Sequence, residues 1–374
     1  MIKSIAIYPH HIDIDYLNKI DFTLKLAAMY GFDEIFTTVH LPEYSLSQQL
    51  DCFDVIIDKA RKYGFDITLD IGGHFLSEVL ENEEYLDKLK KAEKCFIRLD
   101  YGFEMSQVRE LHNRTGNKGF VVNASIYRKE EIQKIVQDLK TLDEKLEIRA
   151  CHNFYVREQT GLDEVTALRQ DSYFESYNIP VCYCIPLYSH PRAPLYKGLC
   201  TLEKHRNKSV SEVLADLIIN YKAKYIMMAD EWPNEQEFKE FGETYDVLNM
   251  SLNKEEVIGI KMLDTASSEE RNIVLKTHVF RYDSPDGFLR SQSSRQMAEV
   301  ASSIKVSNTI TRRRGLITID NEKYQRYSGE LQVVMCDAES DERVNVVGII
   351  KDSKDLLKLK RFREGIKYKF TEVD

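Results

Sequence analysis

Short apolar runs alternate with amphipathic segments over the first two thirds of the chain. Near-continuous apolar character is typical of strands that are covered on both faces of a sheet. Eight such runs occupy residues 4–9, 34–42, 66–73, 95–102, 119–125, 146–154, 180–187 and 225–232. Between them, apolar residues recur at helical spacing over residues 16–31, 45–64, 129–143 and 209–223. Ser45 is typical of a helix N-cap and Gly64 of a helix end, so the second of these segments has clear limits.

Eight strands alternating with helices over about 240 residues have the size and order of a (β/α)8, or TIM, barrel. A doubly wound open sheet is the alternative, but it often carries a glycine-rich phosphate loop after its first strand. Here the first run ends in YPHH, without a GxGxxG motif. We therefore predict an α/β protein with a TIM-barrel domain over residues 1–243.

The pattern changes towards the carboxyl terminus, where β-rich runs are separated by polar stretches. These runs occupy residues 257–263, 272–281, 315–320, 329–336 and 344–350, with one helical segment near 293–303. They predict a compact β-barrel domain over residues 250–374. Residues 242–256 are the expected linker. The polar stretch 318–331 fits either an ordinary surface turn or a contribution of the second domain to the barrel rim.

Composition narrows the class of protein. The 374 residues are enough for two domains, and the net charge of −9 does not favour a nucleic acid or an anionic membrane as partner. The seven cysteines are odd in number and show no paired CxxC spacing, so we expect free thiols in a reducing compartment. The start resembles no signal peptide, and no apolar run approaches the roughly 20 residues that span a bilayer. We expect a cytoplasmic protein.

Functional groups of a TIM barrel lie at the carboxyl ends of its strands, so the ends of the apolar runs supply the candidates. A single strand-end aspartate is often only the N-cap of the next helix. Capping does not explain the inward-facing positions that we expect for Arg98, Asp100, Asn123 and His152. The other candidates are Asp70, Asp230, Glu158, His40, Glu43, Tyr101, Asn153, Tyr155, Arg157 and Arg192.

This ring of polar groups suits a polyhydroxylated ligand. Carboxylates and amides bind hydroxyls, aromatic rings cover sugar faces, and arginine binds a carboxylate or phosphate with two hydrogen bonds. Paired carboxylates also supply the acid and nucleophile, or the acid and base, of glycoside hydrolysis.

A dense cationic run, Lys204, His205 and Arg206, follows the seventh strand. Barrels often bind phosphate near this position, although a solvated basic turn would look the same. A metal site formed by His40, His152 and His190 with Asp70 or Asp230 is a weaker alternative, because rim histidines more often bind substrate directly. We expect no metal and no cofactor.

Six motifs along the chain carry a resemblance to a known family. They are TTVHLPE, IRLDYGF, VVNAS, CHNFYVREQTGL, GLCTLEKHR and ITIDNEKYQRYSGELQV. In this order they resemble the bacterial 6-phospho-N-acetylmuramidase family. The resemblance implies a TIM barrel followed by a cyclophilin-like β-barrel. It also implies a cytoplasmic hydrolase that splits 6-phospho-N-acetylmuramyl-N-acetylglucosamine, a phosphorylated disaccharide from peptidoglycan turnover.

One motif departs from the family pattern, in which the stretch after Asn153 reads Tyr/Phe-Tyr-Pro-Arg-Pro-Glu-Thr-Gly. Here Val156 and Glu158 replace the two prolines, and Gln159 replaces the glutamate. Because glutamine cannot act as an acid, base or carboxylate nucleophile, a role of that glutamate in relatives would be lost here.

Three hypotheses follow. The first is a glycosidase acting on a phosphorylated amino-sugar disaccharide, with Asp100 and Asp230 as leading catalytic carboxylates and Asp70 and Glu158 in reserve. The second is a phospho-sugar-binding protein without catalysis, or a homologue with a shifted substrate. The third, a sugar-phosphate isomerase or aldolase, ranks last because no lysine lies at an inward strand end. The expected partner is a small phosphorylated sugar. The sequence leaves undecided whether the chain forms a homo-oligomer.

Overall fold

A computed structural model of the chain describes residues 1–92, 94–297, 304–362 and 366–373. The chain divides into two compact units, Met1–Glu243 and Thr244–Asp374. None of the described helices combines the length and apolarity that crossing a membrane requires.

The first unit is a closed barrel of eight parallel strands, which confirms the TIM-barrel prediction. Each strand pairs with the next along the chain, and the eighth pairs with the first. The strands are β1 Ile2–Ala6, β2 Glu34–Thr38, β3 Asp66–Ile71, β4 Cys95–Leu99, β5 Gly119–Asn123, β6 Glu147–Cys151, β7 Val181–Ile185 and β8 Tyr225–Met228.

Helices follow the strands around the barrel. They are α1 Ile14–Met29, α2 Leu46–Tyr63, α3 Leu76–Glu81, α4 Glu83–Lys91, α5 Met105–Thr115, α6 Lys129–Lys140, α7 Glu164–Glu175, α8 Val210–Asn220 and α9 Glu235–Asn249. The predicted limits of α2 are confirmed: Ser45 forms a capping box with Gln48, and Gly64 ends the helix in the left-handed conformation.

The barrel interior is filled in layers by side chains from alternate strands, as in other TIM barrels. The lower layer is an ion pair packed between aromatic rings rather than a set of aliphatic groups. Arg149 on β6 contacts Glu34 on β2 at 2.6 Å, lies 3.7 Å above the Phe96 ring on β4, and Glu34 also accepts a hydrogen bond from Tyr225 on β8. Successive inward side chains of a strand are two residues apart. The next layer on these four strands is therefore Phe36, Arg98, Cys151 and Met227.

The second unit is a seven-stranded mixed sheet, which confirms the prediction of a β-rich domain. Its strands are β9 Glu255–Met262, β10 Thr277–Val279, β11 Phe288–Arg290, β12 Leu316–Asp320, β13 Leu331–Val334, β14 Val344–Ile350 and β15 Lys367–Glu372. Their order is β10-β15-β9-β14-β12-β13-β11, and β15 runs parallel to β9. An isolated bridge between Phe280 and Ser291, just beyond the two edge strands, curls the sheet towards closure.

Three helices accompany this sheet, α10 Ser268–Val274, α11 Ser294–Met297 and α12 Ser353–Lys360. The prediction of a strand over residues 272–281 was partly wrong. Ser267 and Glu270 form a capping box that starts α10 there, so only Thr277–Val279 is extended. The expected linker over residues 242–256 is helical up to Asn249. Residues 298–303 of the helical segment predicted near 293–303 lie outside the described residues.

Candidate active site

A cavity of about 210 Å³ opens at the carboxyl end of the barrel strands. Its lining is Phe36, Asp70, Arg98, Asp100, Cys151, His152, Asn153, Phe154 and Met227. The structure therefore brings together Asp70, Arg98, Asp100, His152 and Asn153, which the sequence placed at the ends of β3, β4 and β6. The four side chains of the upper barrel layer belong to this lining.

Arg98 contacts three other polar residues of the cavity lining. Its Nη1 donates to Asp70 Oδ1 at 2.8 Å and lies 3.4 Å from Asp100 Oδ2, while its Nη2 donates to Asn153 Oδ1 at 2.6 Å. Only 6% of the side chain is exposed. A buried guanidinium with two carboxylates and one amide around it is fixed in both position and charge.

Asp100 is the more open of the two carboxylates, with 35% of its side chain exposed against 14% for Asp70. Burial raises the pKa of Asp100, but the charge of Arg98 and a hydrogen bond from Asn123 outweigh it and lower the pKa overall. Asn123 Nδ2 donates to Asp100 Oδ1 at 2.6 Å and to Asn153 Oδ1 at 2.9 Å. Asp100 is thus an ionised carboxylate that faces the cavity.

His152 is buried, and both of its ring nitrogens are engaged. Its Nε2 lies 2.9 Å from Asp171 Oδ1, and its Nδ1 lies 3.1 Å from Ser125 Oγ, which in turn accepts the backbone N–H of Asn153 at 2.9 Å. Tyr183 donates to the other oxygen of Asp171 at 2.6 Å. The ring therefore positions the loop that carries Asn153.

His40, two residues after the end of β2, contacts the same cluster. Its Nδ1 lies 3.1 Å from the backbone oxygen of Asp70, and its Nε2 lies 3.7 Å from Asp70 Oδ2. Two other predicted binding residues, Glu43 and Tyr101, are exposed, and neither belongs to the cavity lining.

Asp230 has a different environment from the one that its place at the end of β8 suggested. It is fully buried, and its Oδ2 accepts the backbone N–H groups of Leu187 at 2.8 Å and Leu199 at 2.9 Å. Its Oδ1 accepts the N–H of Arg192 at 2.8 Å. A carboxylate that accepts three backbone amides holds the loop after β7, and Asp230 is not part of the cavity lining.

The neighbouring Glu231 is the carboxylate of β8 that retains some exposure, 16% of its side chain. It lies 3.0 Å from His10 Nε2 and 3.5 Å from Arg192 Nε. Arg192 in turn stacks on the ring of Tyr8, at 3.5 Å from its centroid. Glu231 was missing from our predicted site residues, because the sequence does not tell which of two consecutive acidic residues retains access to solvent.

The cationic residues after β7, Lys204 to Arg206, mainly bind other groups of the protein. Arg206 is buried and donates to Glu203 and to the backbone oxygens of Tyr155, Arg157 and Gly198. These bonds, with Glu203 Oε2 accepting the N–H of Gly161 at 2.8 Å, hold the loop over residues 155–162.

The other two cations of this run are also paired. His205 is buried against Asp216 at 2.8 Å, and Lys204 lies 2.9 Å from the same carboxylate. The predicted phosphate role of this run is therefore not supported by its contacts.

The loop over residues 155–162 is exposed where it departs from the family pattern. Gln159 adopts a positive φ of 65°, and its backbone N–H bonds to Glu203. Glu158 is half exposed and pairs with Lys197 at 3.1 Å, so it lies outside the carboxylate cluster around Arg98. Arg157 is exposed and makes no ion pair with any described residue.

A metal site finds no support among the described residues, because no group of three or more histidine, cysteine, aspartate or glutamate side chains could hold an ion there. His40 contacts Asp70, His152 contacts Asp171, and His190 Nδ1 bonds to the backbone oxygen of Trp232.

The fold and the cavity define a TIM-barrel protein with a mixed anionic and cationic site for a polar small molecule. Family models describe the two parts of the chain as 6-phospho-N-acetylmuramidase, N-terminal, over residues 4–243, and 6-phospho-N-acetylmuramidase, C-terminal, over residues 257–371. The chain belongs to the 6-phospho-N-acetylmuramidase family, and the name of this family denotes a glycosidase.

Two solved structures are similar over the whole chain. A conserved protein of unknown function from Enterococcus faecalis is 25% identical, with a TM-score of 0.61 over 100% of this chain and 96% of that chain. An uncharacterised protein from B. cereus is 24% identical, with a TM-score of 0.63 over 99% of both chains. Both support the fold. A comparison with curated proteins gives no match.

Proposed function

We propose that the protein is a cytoplasmic glycosidase that cleaves a 6-phosphorylated amino-sugar disaccharide, 6-phospho-N-acetylmuramyl-N-acetylglucosamine or a close relative, in the recovery of cell-wall sugars. Family membership supplies the reaction class. The observation that carries the assignment is the pair of carboxylates, Asp70 and Asp100, that contact one Arg98 nitrogen at 2.8 and 3.4 Å beside the same cavity. Glycosidases use two carboxyl groups that face one sugar-binding cavity.

The two carboxylates are suited to different tasks. Asp100 is ionised and partly exposed, so it fits the nucleophile or base that attacks at, or activates water towards, the anomeric carbon. Asp70 is more enclosed and is tied to Arg98 and His40. We assign Asp100 the leading role and Asp70, which also lines the cavity, the role of the second carboxyl group. The contact between Asp70 and Arg98 also orients that guanidinium.

The remaining polar groups fit a sugar. Asn153 presents its amide in the cavity lining beside Asp100, and Phe154 supplies an aromatic ring to the same lining. Asn123 is fully buried and holds Asp100 and Asn153 in place. Amides bind sugar hydroxyls, and aromatic rings cover sugar faces. The phosphate and the lactyl carboxylate require cations that are not already neutralised. Arg157, which makes no ion pair with any described residue, fits this role better than Lys204, His205 and Arg206, which have carboxylate partners. Arg192 is the second candidate, although Glu231 lies 3.5 Å from its Nε.

The test is incubation with 6-phospho-N-acetylmuramyl-N-acetylglucosamine, followed by mass spectrometry of the products. We expect release of N-acetylglucosamine, and much slower release from the unphosphorylated disaccharide. An Arg157→Met variant should lose most of this preference for the phosphorylated substrate. Failure of the wild-type protein to cleave any phosphorylated amino-sugar disaccharide would contradict the proposal.

The substitution at Gln159 favours one alternative, a protein that binds the phosphorylated disaccharide without cleaving it. Calorimetric binding of the disaccharide, with no N-acetylglucosamine released over a long incubation, would support that alternative. If the Gln159→Glu variant then cleaved the disaccharide, the missing catalytic carboxylate would be assigned to this loop.

A further inference from the structure

Three cysteine thiols meet inside the barrel next to the cavity. Cys151 ends β6, and Cys182 and Cys184 lie two residues apart on β7, so all three side chains belong to the interior cluster of the barrel. All three thiols are buried. Cys182 and Cys184 are 0% exposed, and Cys151 is 3% exposed and is part of the cavity lining beside Arg98. None of the three has a role in the proposed glycosidase reaction.

The spacing of these thiols suits a disulfide. Cys151 and Cys182 are register partners on neighbouring parallel strands. Neighbouring strands lie about 4.8 Å apart, within the Cα separation of roughly 4.4–6.8 Å that a disulfide spans. The Sγ atoms of Cys151 and Cys184 lie near one atom, the backbone oxygen of His152, at 3.2 and 3.8 Å. Cys182 can therefore reach Cys151 without a large movement of the backbone. The Cys184 thiol is the next inward group of β7 and would need a shift of the strand to form the bond.

The surroundings of Cys151 favour its thiolate form. Hydrogen bonds from Cys182 and Cys184 lower the pKa of the Cys151 thiol well below its usual value, in spite of burial, and the nearby Arg98 charge lowers it further. Thiolates that small molecules can reach are the cysteines that peroxide oxidises. Cys95 is the internal contrast: it is fully buried, lies outside the cavity lining, and burial raises its pKa.

We propose that Cys151 is a peroxide-reactive thiol in the wall of the cavity, and that Cys182 or Cys184 resolves its oxidation into a disulfide. In the first step the Cys151 thiolate attacks hydrogen peroxide, the O–O bond breaks, and a sulfenic acid and hydroxide form. In the second step a β7 thiol attacks the sulfenic sulfur, its proton and the hydroxyl leave as water, and the S–S bond forms. Two thiols have then given two electrons to one peroxide.

Oxidation at this position should stop the reaction of the cavity. Cys151 directly precedes His152 and Asn153, and a covalent bond to β7 draws the end of β6 towards that strand. A displacement of about 1 Å in a catalytic site can cost about 100-fold in rate. This consequence for activity rests on the proposed function, whereas the thiol chemistry does not.

The experiment uses the full chain with Cys336→Ser, which removes the exposed thiol of the second unit. The protein is treated with a small excess of hydrogen peroxide, unfolded, alkylated with iodoacetamide and mapped by peptide mass spectrometry. We expect Cys151 to disappear about tenfold or more faster than Cys95, together with a peptide that joins Cys151 to Cys182 or Cys184. Disaccharide cleavage should fall in parallel and return with dithiothreitol.

A Cys182→Ala/Cys184→Ala variant separates the two steps. Here Cys151 should stop at the sulfenic acid, which dimedone traps, and over-oxidation should follow. Equal reactivity of Cys151 and Cys95 in the parent would overturn the proposal. A parent in which Cys151 oxidises without any disulfide would overturn the resolving role, and full activity of the disulfide form would overturn the effect on catalysis. If the parent never cleaves the disaccharide, the glycosidase proposal fails while the peptide map still decides the thiol chemistry.

Discussion

Arg98 and Asp70 form a hydrogen bond of 2.8 Å between the guanidinium Nη1 and the carboxylate Oδ1, in a site where only 6% and 14% of the two side chains are exposed. The same nitrogen lies 3.4 Å from Asp100. One fixed cation is thus shared by two carboxylates, and its charge lowers the pKa of the more exposed one, Asp100. Both carboxylates line the cavity, and Asp100 is the more exposed, so its substitution should have the larger effect on catalysis.

Asp100→Asn should remove most of the disaccharide cleavage. A carboxylate that acts as nucleophile or base typically contributes about 100- to 10,000-fold to the rate, so we expect a fall in kcat of this order with little change in stability. The measurement is steady-state release of N-acetylglucosamine. Asp58→Asn is the matched control, because Asp58 lies on the barrel helix α2 with 79% of its side chain exposed. Wild-type turnover by Asp100→Asn would remove this residue from the mechanism.

Asp230→Asn should lower stability rather than turnover. Its carboxylate accepts three backbone N–H groups, and an amide turns at least one of these contacts into an unsatisfied or repulsive one. We expect the free energy of unfolding to fall by about 2–3 kcal/mol, with kcat reduced far less than in Asp100→Asn. Urea unfolding followed by the fluorescence of Trp232, the single tryptophan, measures the barrel. A loss of kcat equal to that of Asp100→Asn, at unchanged stability, would restore the catalytic role predicted from sequence.

Arg206→Met should loosen the loop over residues 155–162. Arg206 bridges Glu203 and the backbone oxygens of Tyr155 and Arg157, so its loss leaves partly buried acceptors unpaired. We expect a fall of about 2–3 kcal/mol in the free energy of unfolding and a raised KM with a smaller change in kcat.

Lys204→Met is the control for this loop variant, because Lys204 belongs to the same cationic run but is 40% exposed. It should change KM little. A rise in KM for Lys204→Met as large as that for Arg206→Met, confined to the phosphorylated substrate, would instead support the phosphate role.

Arg149→Met should be the most destabilising single change in the barrel interior. It leaves Glu34, which is 0% exposed, without its partner at 2.6 Å. Breaking a buried pair in this way costs about 3–5 kcal/mol, whereas replacing both partners by neutral groups costs much less. The double variant Glu34→Gln/Arg149→Met should therefore recover part of the loss in urea unfolding. A double variant less stable than Arg149→Met would contradict this account of the layer.

Asp320 should make the second unit less stable as the pH rises. Burial and the charge of Glu330 raise the pKa of Asp320 from 3.8 to about 7. The folded chain thus holds a proton that the unfolded chain releases near pH 4. The contribution to stability is full below pH 4 and is lost as the pH rises to about 7, by up to roughly 4 kcal/mol.

Asp320→Asn should abolish this pH dependence. Hydrogen exchange of peptides from β12 and β14 at pH 5 and pH 8 gives the measurement. In the wild-type protein, protection after correction for the intrinsic rate should be weaker at pH 8, and in the variant it should be similar at both values. An unchanged pH dependence in the variant would assign the effect to another group.

Much of the fold was accessible to sequence reasoning because local periodicity carries it. The eight apolar runs gave eight strands, and the caps at Ser45 and Gly64 gave the limits of α2. The short edge strands β10 and β11 were harder, because three residues are too few for a periodic pattern and their extended form depends on pairing with distant strands. The helix α12 lies in a stretch that the sequence analysis did not assign.

The sequence by itself determined two features of the barrel: which residues alternate between the two faces of each strand, and where each strand ends. They place Arg98, Asp100 and His152 at the carboxyl end of a barrel, because parallel strands bring their carboxyl ends to one rim. The direction of a side chain beyond the last strand residue, and the partners of a loop, depend on contacts across the fold. Two placements were decided only by the tertiary structure. Asp230 accepts hydrogen bonds from the loop after β7, and Arg206 donates to backbone oxygens about 50 positions away in the chain. The reason is that buried backbone donors and acceptors require hydrogen-bond partners.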